Sequence, residues 1–197
     1  KPGDERFALH GQLWAVLGGC VTGEEATALM ERAIRDPGLL KCSYSMSFYL
    51  FRAIEEADLY EKSVALWEDW ERMLGKNITT WPEDIVTQRS DCHGWGAIPI
   101  YEFLSGCLGV RPLTPGWNGV EIRPSAHELG EMEGTLPIPS GLLHAAKKKL
   151  SDGRWQFILS LPVPMDIVFW NGRQKISRRA KEFITEYRVE SRIRKQG

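Results

Sequence analysis

Two periods divide the chain. From Glu5 to about Gly109, apolar residues recur at three-to-four spacing, as in helices that bury one face. Phe7, Leu9, Leu13, Val16 and Leu17 make the first run; Ala26, Leu29, Met30, Ala33 and Ile34 make the second. The second is preceded by Thr22-Gly-Glu-Glu25, a capping-box pattern in which hydroxyl and carboxylate satisfy free backbone N–H groups, and is stopped by Pro37-Gly38. A third helix, over about 43–57, carries Met46, Phe48, Tyr49, Leu50, Ala53 and Ile54, and is apolar on most sides, as a helix between neighbours would be. A fourth, over about 60–74, closes at Gly75, placed as a C′ glycine. A polar stretch, 76–92, then leads to a fifth helix ending at Gly109.

Beyond Arg111 the period changes to two. Pro112, Pro115, Pro124, Pro137, Pro139, Pro162 and Pro164 punctuate short alternating stretches. In one of them Trp155, Phe157, Leu159 and Leu161 share a face, with Gln156, Ile158 and Ser160 opposite. Trp170-Asn-Gly-Arg173 is a hairpin signal, since Asn-Gly suits the positive φ angles of a type I′ turn. Short strands with frequent turns predict an antiparallel β-sandwich over residues 113–177, following helices over 1–112. The remaining stretch, 178–197, mixes Arg and Lys with Glu, and is expected to be a solvated helix or a disordered tail.

Composition narrows the function by exclusion. A net charge of -1 offers no basic face for nucleic acid, and no run approaches the ~18 apolar residues of a membrane span. Cys20, Cys42, Cys92 and Cys107 form no CxxC pair and are expected to be free, mostly buried thiols. His10, His127 and His144 are scattered, so no metal is expected, no cofactor is expected, and other motif classes fail: no phosphate-binding glycine loop, no G-x-S-x-G nucleophile elbow, no H-E-x-x-H. Eight Trp are many for 197 residues; their faces suit either a core or the apolar faces of sugar rings. The chain opens on Lys-Pro-Gly-Asp without an initiator Met and reads as a fragment.

Candidate chemistry concentrates in one place. Asn77-Ile-Thr-Thr-Trp-Pro-Glu-Asp84 and Arg89-Ser-Asp-Cys-His-Gly-Trp-Gly96 put Trp81, Glu83, Asp84, Asp91, His93 and Trp95 on one inter-helix loop and the helix start after it. Each has an ordinary explanation. Glu83 after Pro82 suits the first turn of a helix, where the dipole stabilises an acid. Ser90 and Asp91 are good helix caps, and His93 can simply bond a backbone carbonyl. Trp81 and Trp95 are more often packing than sugar platforms. Their combination on one loop is what points to a site.

With these residues the chain resembles the α-L-rhamnosidases of glycoside hydrolase family 78. The carrying motifs are Ser43-Tyr-Ser-Met-Ser-Phe-Tyr49, Trp67 and Trp70 before Met73-Leu74, Thr79-Thr-Trp-Pro-Glu83, and Arg89-Ser-Asp-Cys-His-Gly-Trp95. Leu108-Gly-Val-Arg-Pro112 and Pro115-Gly-Trp-Asn-Gly-Val-Glu-Ile-Arg-Pro124 follow in order. The resemblance implies the C-terminal part of an (α/α)6 catalytic barrel followed by a β-sandwich. It also implies bacterial enzymes that hydrolyse terminal α-L-rhamnosyl groups of glycosides or polysaccharides with inversion.

Carried over by motif, Glu83 would be the general base, His93 would contact the sugar or orient the base, and Trp81 and Trp95 would line the cavity. Pro82 departs from many relatives, in which Trp directly precedes the Glu. The family's general acid lies in an upstream motif absent here, so the chain alone is expected to be inactive, its partner being the missing N-terminal part of the same polypeptide. Two alternatives stand beside this one. The chain could be a non-catalytic carbohydrate-binding or structural module on the same fold, or part of another inverting glycosidase or phosphorylase of the (α/α)6 class.

Overall fold

A computed structural model of the chain describes residues 7–83, 90–125, 129–172 and 174–189. They fall into two compact units, one helical and ending at Ile98, the other beginning at Pro99 and dominated by strands.

In the helical unit, α1 (Leu9–Leu17) and α2 (Gly23–Ala33) each bury the stripe their spacing dictates: Leu9, Leu13 and Val16 on one, Ala26, Met30 and Ala33 on the other. Thr22 occupies the N-cap position of α2, but its hydroxyl makes no capping bond. Glu24 and Glu25 in the first turn meet the positive end of the dipole instead. α3 (Ser47–Glu56) starts four residues later than the expected position 43, because 43–46 form a turn in which the Ser43 carbonyl accepts from Ser47 N–H at 3.0 Å. It packs against α1 and α2 and buries Leu50, Phe51, Ala53 and Ile54.

The expected fourth helix is two elements: a 3₁₀ helix, Tyr60–Trp67, running straight into α4 (Glu68–Gly75). The tighter winding aligns Tyr60 and Ser63 three residues apart, and the buried stripe continues through Trp67, Trp70 and Met73. Phe51 stacks on Trp67 with ring centroids 4.5 Å apart, so this stripe and α3 share an aromatic core. Gly75 is helical rather than C′; the left-handed position falls on Asn77 (φ 56), a residue type that tolerates it.

The second unit opens with a short helix, α5 (Ile98–Glu102), and a π-turn over Phe103–Cys107. Its strands are β1 (Val110–Pro112), β2 (Gly119–Ile122), β3 (Glu131–Ile138), β4 (Gly141–Lys149), β5 (Trp155–Asn171) and β6 (Gln174–Tyr187). They form one hydrogen-bonded sheet rather than the two sheets of the expected antiparallel sandwich, and the sheet is mixed, since β2 runs parallel to β5. The cause lies in β5, long enough to take two partners on one edge: Trp155–Ser160 of β5 pair with β4, and Asp166–Phe169 with β2. β6 follows its other edge on both sides of one interruption.

The ladder between β5 and β6 is interrupted from Ser160 to Met165, where Pro162 and Pro164 supply no N–H. Across that irregularity β6 changes which side chains face inward. Phe183 and Tyr187 lie opposite Leu159 and Trp155, whereas Ala180 lies opposite Met165. The sheet therefore curls, and both halves of β5 contribute to one core: Phe157, Leu159, Leu161, Ile167 and Phe169, together with Ile122, Leu143 and Phe183. Residues 178–187, expected to be helix or tail, are the body of β6, and 190–197 lie outside the described residues. The hairpin loop falls one residue later than Asn-Gly, with Asn171 pairing Gln174 and Gly172 taking the positive φ (57°).

Lys147 of β4 points into this core. It is 1% exposed, donates from Nζ to the carbonyls of Cys107 (2.5 Å) and Ser125 (2.9 Å), and stands 5.2 Å from the centre of the Trp155 ring. Burial pulls its pKa down from 10.5 to about 8. The four cysteines are free, but Cys20 and Cys92 are exposed, against the expectation of mostly buried thiols; only Cys107 is fully buried. Among the described residues no helix is long and apolar enough to cross a membrane.

Candidate active site

The site is built by two runs of backbone that lie side by side. After Asn77 turns the chain out of α4, residues 78–83 run away from it, and 90–93 return alongside in the opposite direction. Glu83 N–H donates to the Ser90 carbonyl at 2.8 Å, His93 N–H donates to the Trp81 carbonyl at 2.5 Å, and the Thr80 hydroxyl donates to the Asp91 carbonyl. These bonds form a clasp that brings Glu83 and His93, ten positions apart in sequence, onto adjacent runs. His93 is extended (φ -111°, ψ 95°) and leads into a single 3₁₀ turn, Gly94–Gly96.

The ordinary readings of these residues can now be weighed one by one. Glu83 stands at a bend outside every described helix, so a described helix dipole does not explain it. Ser90 and Asp91 serve the clasp through their carbonyls, while the N-cap of the 3₁₀ turn is His93, which makes no side-chain capping bond. Trp95 is 78% exposed, which rules out a packing role among the described residues. Its ring meets the His93 imidazole edge-on at 6.0 Å between centroids. Trp81, Glu83 and His93 are half-buried, open enough to meet a ligand and enclosed enough to be held. Asp84 and Arg89, the other charged members of the motif, lie outside the described residues.

Two residues central to the clasp are not among the sequence-predicted site residues. Trp70 of α4 donates its indole N–H to the Gly96 carbonyl at 3.0 Å. Gly96 is required by close approach, since a Cβ there would stand 2.8 Å from the Pro82 carbonyl oxygen and 3.3 Å from Trp81 Cβ. The available signal was the Gly94-Trp-Gly96 tripeptide, in which the flanking glycines free the backbone for contact. Among the described residues no group of three His, Cys, Asp or Glu could hold a metal ion. A separate cavity of about 240 Å³ in the helical unit, lined by Leu9, Asp36, Lys41, Cys42 and Asp69 among others, shares no residue with the clasp.

No family model matches the chain. A curated α-L-rhamnosidase of Alteromonas sp. (strain LOR) is 27% identical over 147 residues, which is 74% of this chain. The solved family 78 rhamnosidase of Bacillus sp. GL1 is also 27% identical, over 75% of the chain, with a TM-score of 0.64. The chain resembles part of a family 78 α-L-rhamnosidase. The α-L-rhamnosidase of Aspergillus terreus, 15% identical with a TM-score of 0.69, shares the fold over 92% of the chain. In each case the match is partial on the rhamnosidase side: the chain spans 15% of the Alteromonas protein, 17% of the Bacillus one and 24% of the Aspergillus one.

Proposed function

We propose that this chain is part of a longer inverting α-L-rhamnosidase acting on rhamnose-containing glycosides or polysaccharides, with Glu83 as its general base. The observation that carries the reading is the clasp. It brings the run bearing Glu83 alongside the run bearing His93, with Trp81 and the exposed Trp95 on the same two runs, in a chain similar to rhamnosidases. In this reading the helices belong to an (α/α)6 barrel and the curled sheet to the domain that follows it. Glu83 takes a proton from the attacking water, and the carboxylic acid that protonates the leaving oxygen comes from another segment of the polypeptide. Inversion needs the two carboxyls ~6.5–9.5 Å apart, so that the water fits between them. His93 contacts the rhamnosyl hydroxyls or orients Glu83, and Trp81 and Trp95 offer ring faces to the sugar.

The test uses the longer polypeptide and nitrophenyl α-L-rhamnoside. Glu83→Gln keeps the shape and removes the base, and is expected to lower kcat by about three orders of magnitude. The first product anomer, followed by NMR, should be the inverted one. A Glu83→Gln enzyme as active as the wild type would place the base elsewhere. The exposure of Trp95 also fits a sugar-binding module without catalysis; a wild type that binds rhamnose but hydrolyses no glycoside would select that reading.

A further inference from the structure

We propose that Trp70 is a positioning residue for the reaction, acting through the Gly96 carbonyl to hold the run bearing His93 against the run bearing Glu83. The inference rests on the reading of Glu83 as general base and adds how that carboxylate is kept in place.

Three hydrogen bonds follow one another from the helical core to the site. Trp70 Nε1–H donates to the Gly96 carbonyl (3.0 Å), Gly96 N–H to the His93 carbonyl (2.8 Å), and His93 N–H to the Trp81 carbonyl (2.5 Å). The last acceptor is two residues from Glu83, whose own N–H is tied to Ser90. The anchor end is rigid. Trp70 is 6% exposed, its ring centroid lies 5.0 Å from that of Tyr44 and 5.5 Å from that of Trp67, and the Tyr44 hydroxyl donates to the Asp69 carbonyl on the same helix. At the other end Gly96 lies so close to Trp81 and Pro82 that a shift of its carbonyl is transmitted to both.

A buried indole N–H needs an acceptor in any fold. A helical neighbour could have satisfied it. What sets this bond apart is that its acceptor is the backbone of the loop carrying the site. Displacements of about 1 Å at a reacting group cost as much as 10²-fold in rate, so a loosened clasp should be visible in turnover before it is visible in folding.

Two variants of the longer rhamnosidase test this. Trp70→Phe keeps an aromatic ring in the core and deletes the N–H; Gly96→Ala keeps Trp70 and wedges the two runs apart. Each is expected to lower kcat on nitrophenyl α-L-rhamnoside by about tenfold or more at a temperature where the variant is still fully folded, with KM within about twofold. Amide exchange at His93 and Gly96 should also speed up by about tenfold. Unchanged kcat in both variants, or a rise in KM alone, overturns the proposal. If Trp70→Phe is not folded at the assay temperature, Gly96→Ala decides: a kcat loss in an enzyme still folded at that temperature supports the proposal, and wild-type kcat refutes it. Should Glu83→Gln prove fully active, the base reading falls separately. Exchange then judges the clasp, and protection at His93 unaltered in Trp70→Phe overturns it.

Discussion

Lys147 gives the sharpest quantitative test of the β unit. Its ammonium is held by two carbonyls and one indole face, with the Cys107 thiol as the ionisable group acting on it. Two carbonyl bonds do not replace full hydration, so the folded protein favours the neutral amine more than the unfolded chain does. Between about pH 8 and the unfolded value of 10.5, the unfolded state binds more protons, and stability must rise with pH. At about 1.4 kcal/mol per pH unit, the full gain is about 3 kcal/mol. Cys42 acts in the opposite sense. Burial pushes its thiol from 9.0 up to about 12, so stability is lost as pH rises through that range.

Comparison with Lys147→Met cancels the Cys42 contribution and leaves that of Lys147, because Met fills a similar volume without a charge. Urea unfolding of both proteins, followed by circular dichroism from about pH 7 to about pH 10, should show their stability difference moving in the wild type's favour by about 2 kcal/mol or more. Parallel pH profiles would refute the argument, since Lys147 would then titrate alike in both states.

Two further outcomes are expected. Gly109 has φ 79°, and a Cβ there would lie 2.1 Å from the Arg123 carbonyl oxygen, so Gly109→Ala should cost about 3 kcal/mol or more in urea unfolding, and a cost below about 1 would contradict the contact. Titration with a thiol reagent at neutral pH should label Cys20 and Cys92 rapidly and leave Cys42 and Cys107 slow; labelling of all four at equal rates would be the opposing result.

The helical half was largely legible because its stripes are simple. Met30 and Ala33, or Trp67, Trp70 and Met73, follow one period and end up buried. The same holds for Trp155 to Leu161, whose alternation places every second residue in the core. β6 was hidden for two reasons. Lys175, Arg178, Arg179 and Lys181 mask the strand pattern with charge, and the change of inward side between Ala180 and Phe183 breaks the alternation on which a strand is recognised. Lys147 looks like a surface residue until β4 is paired on both sides. At the clasp, residue types alone drew attention to Glu83, His93, Trp81 and Trp95. Their neighbourhood is made by main-chain bonds, which leave almost no trace in side-chain identity, and so Trp70 and Gly96 stood outside it.

The two-partner edge of β5 also constrains the order of assembly. β3 with β4, and β5 with β6, join neighbouring segments through two-residue loops and can form within about 1–10 μs as local hairpins. β2 can pair with β1 locally but not with β5 until β5 exists, and the chain between them is β3 and β4, so its parallel docking closes the longest loop and comes late. Until then Ile167 and Phe169 border an uncovered flank with an open edge beside it. That flank is where a half-folded chain is most open to intermolecular strand pairing, and β2 is the element whose arrival shuts it.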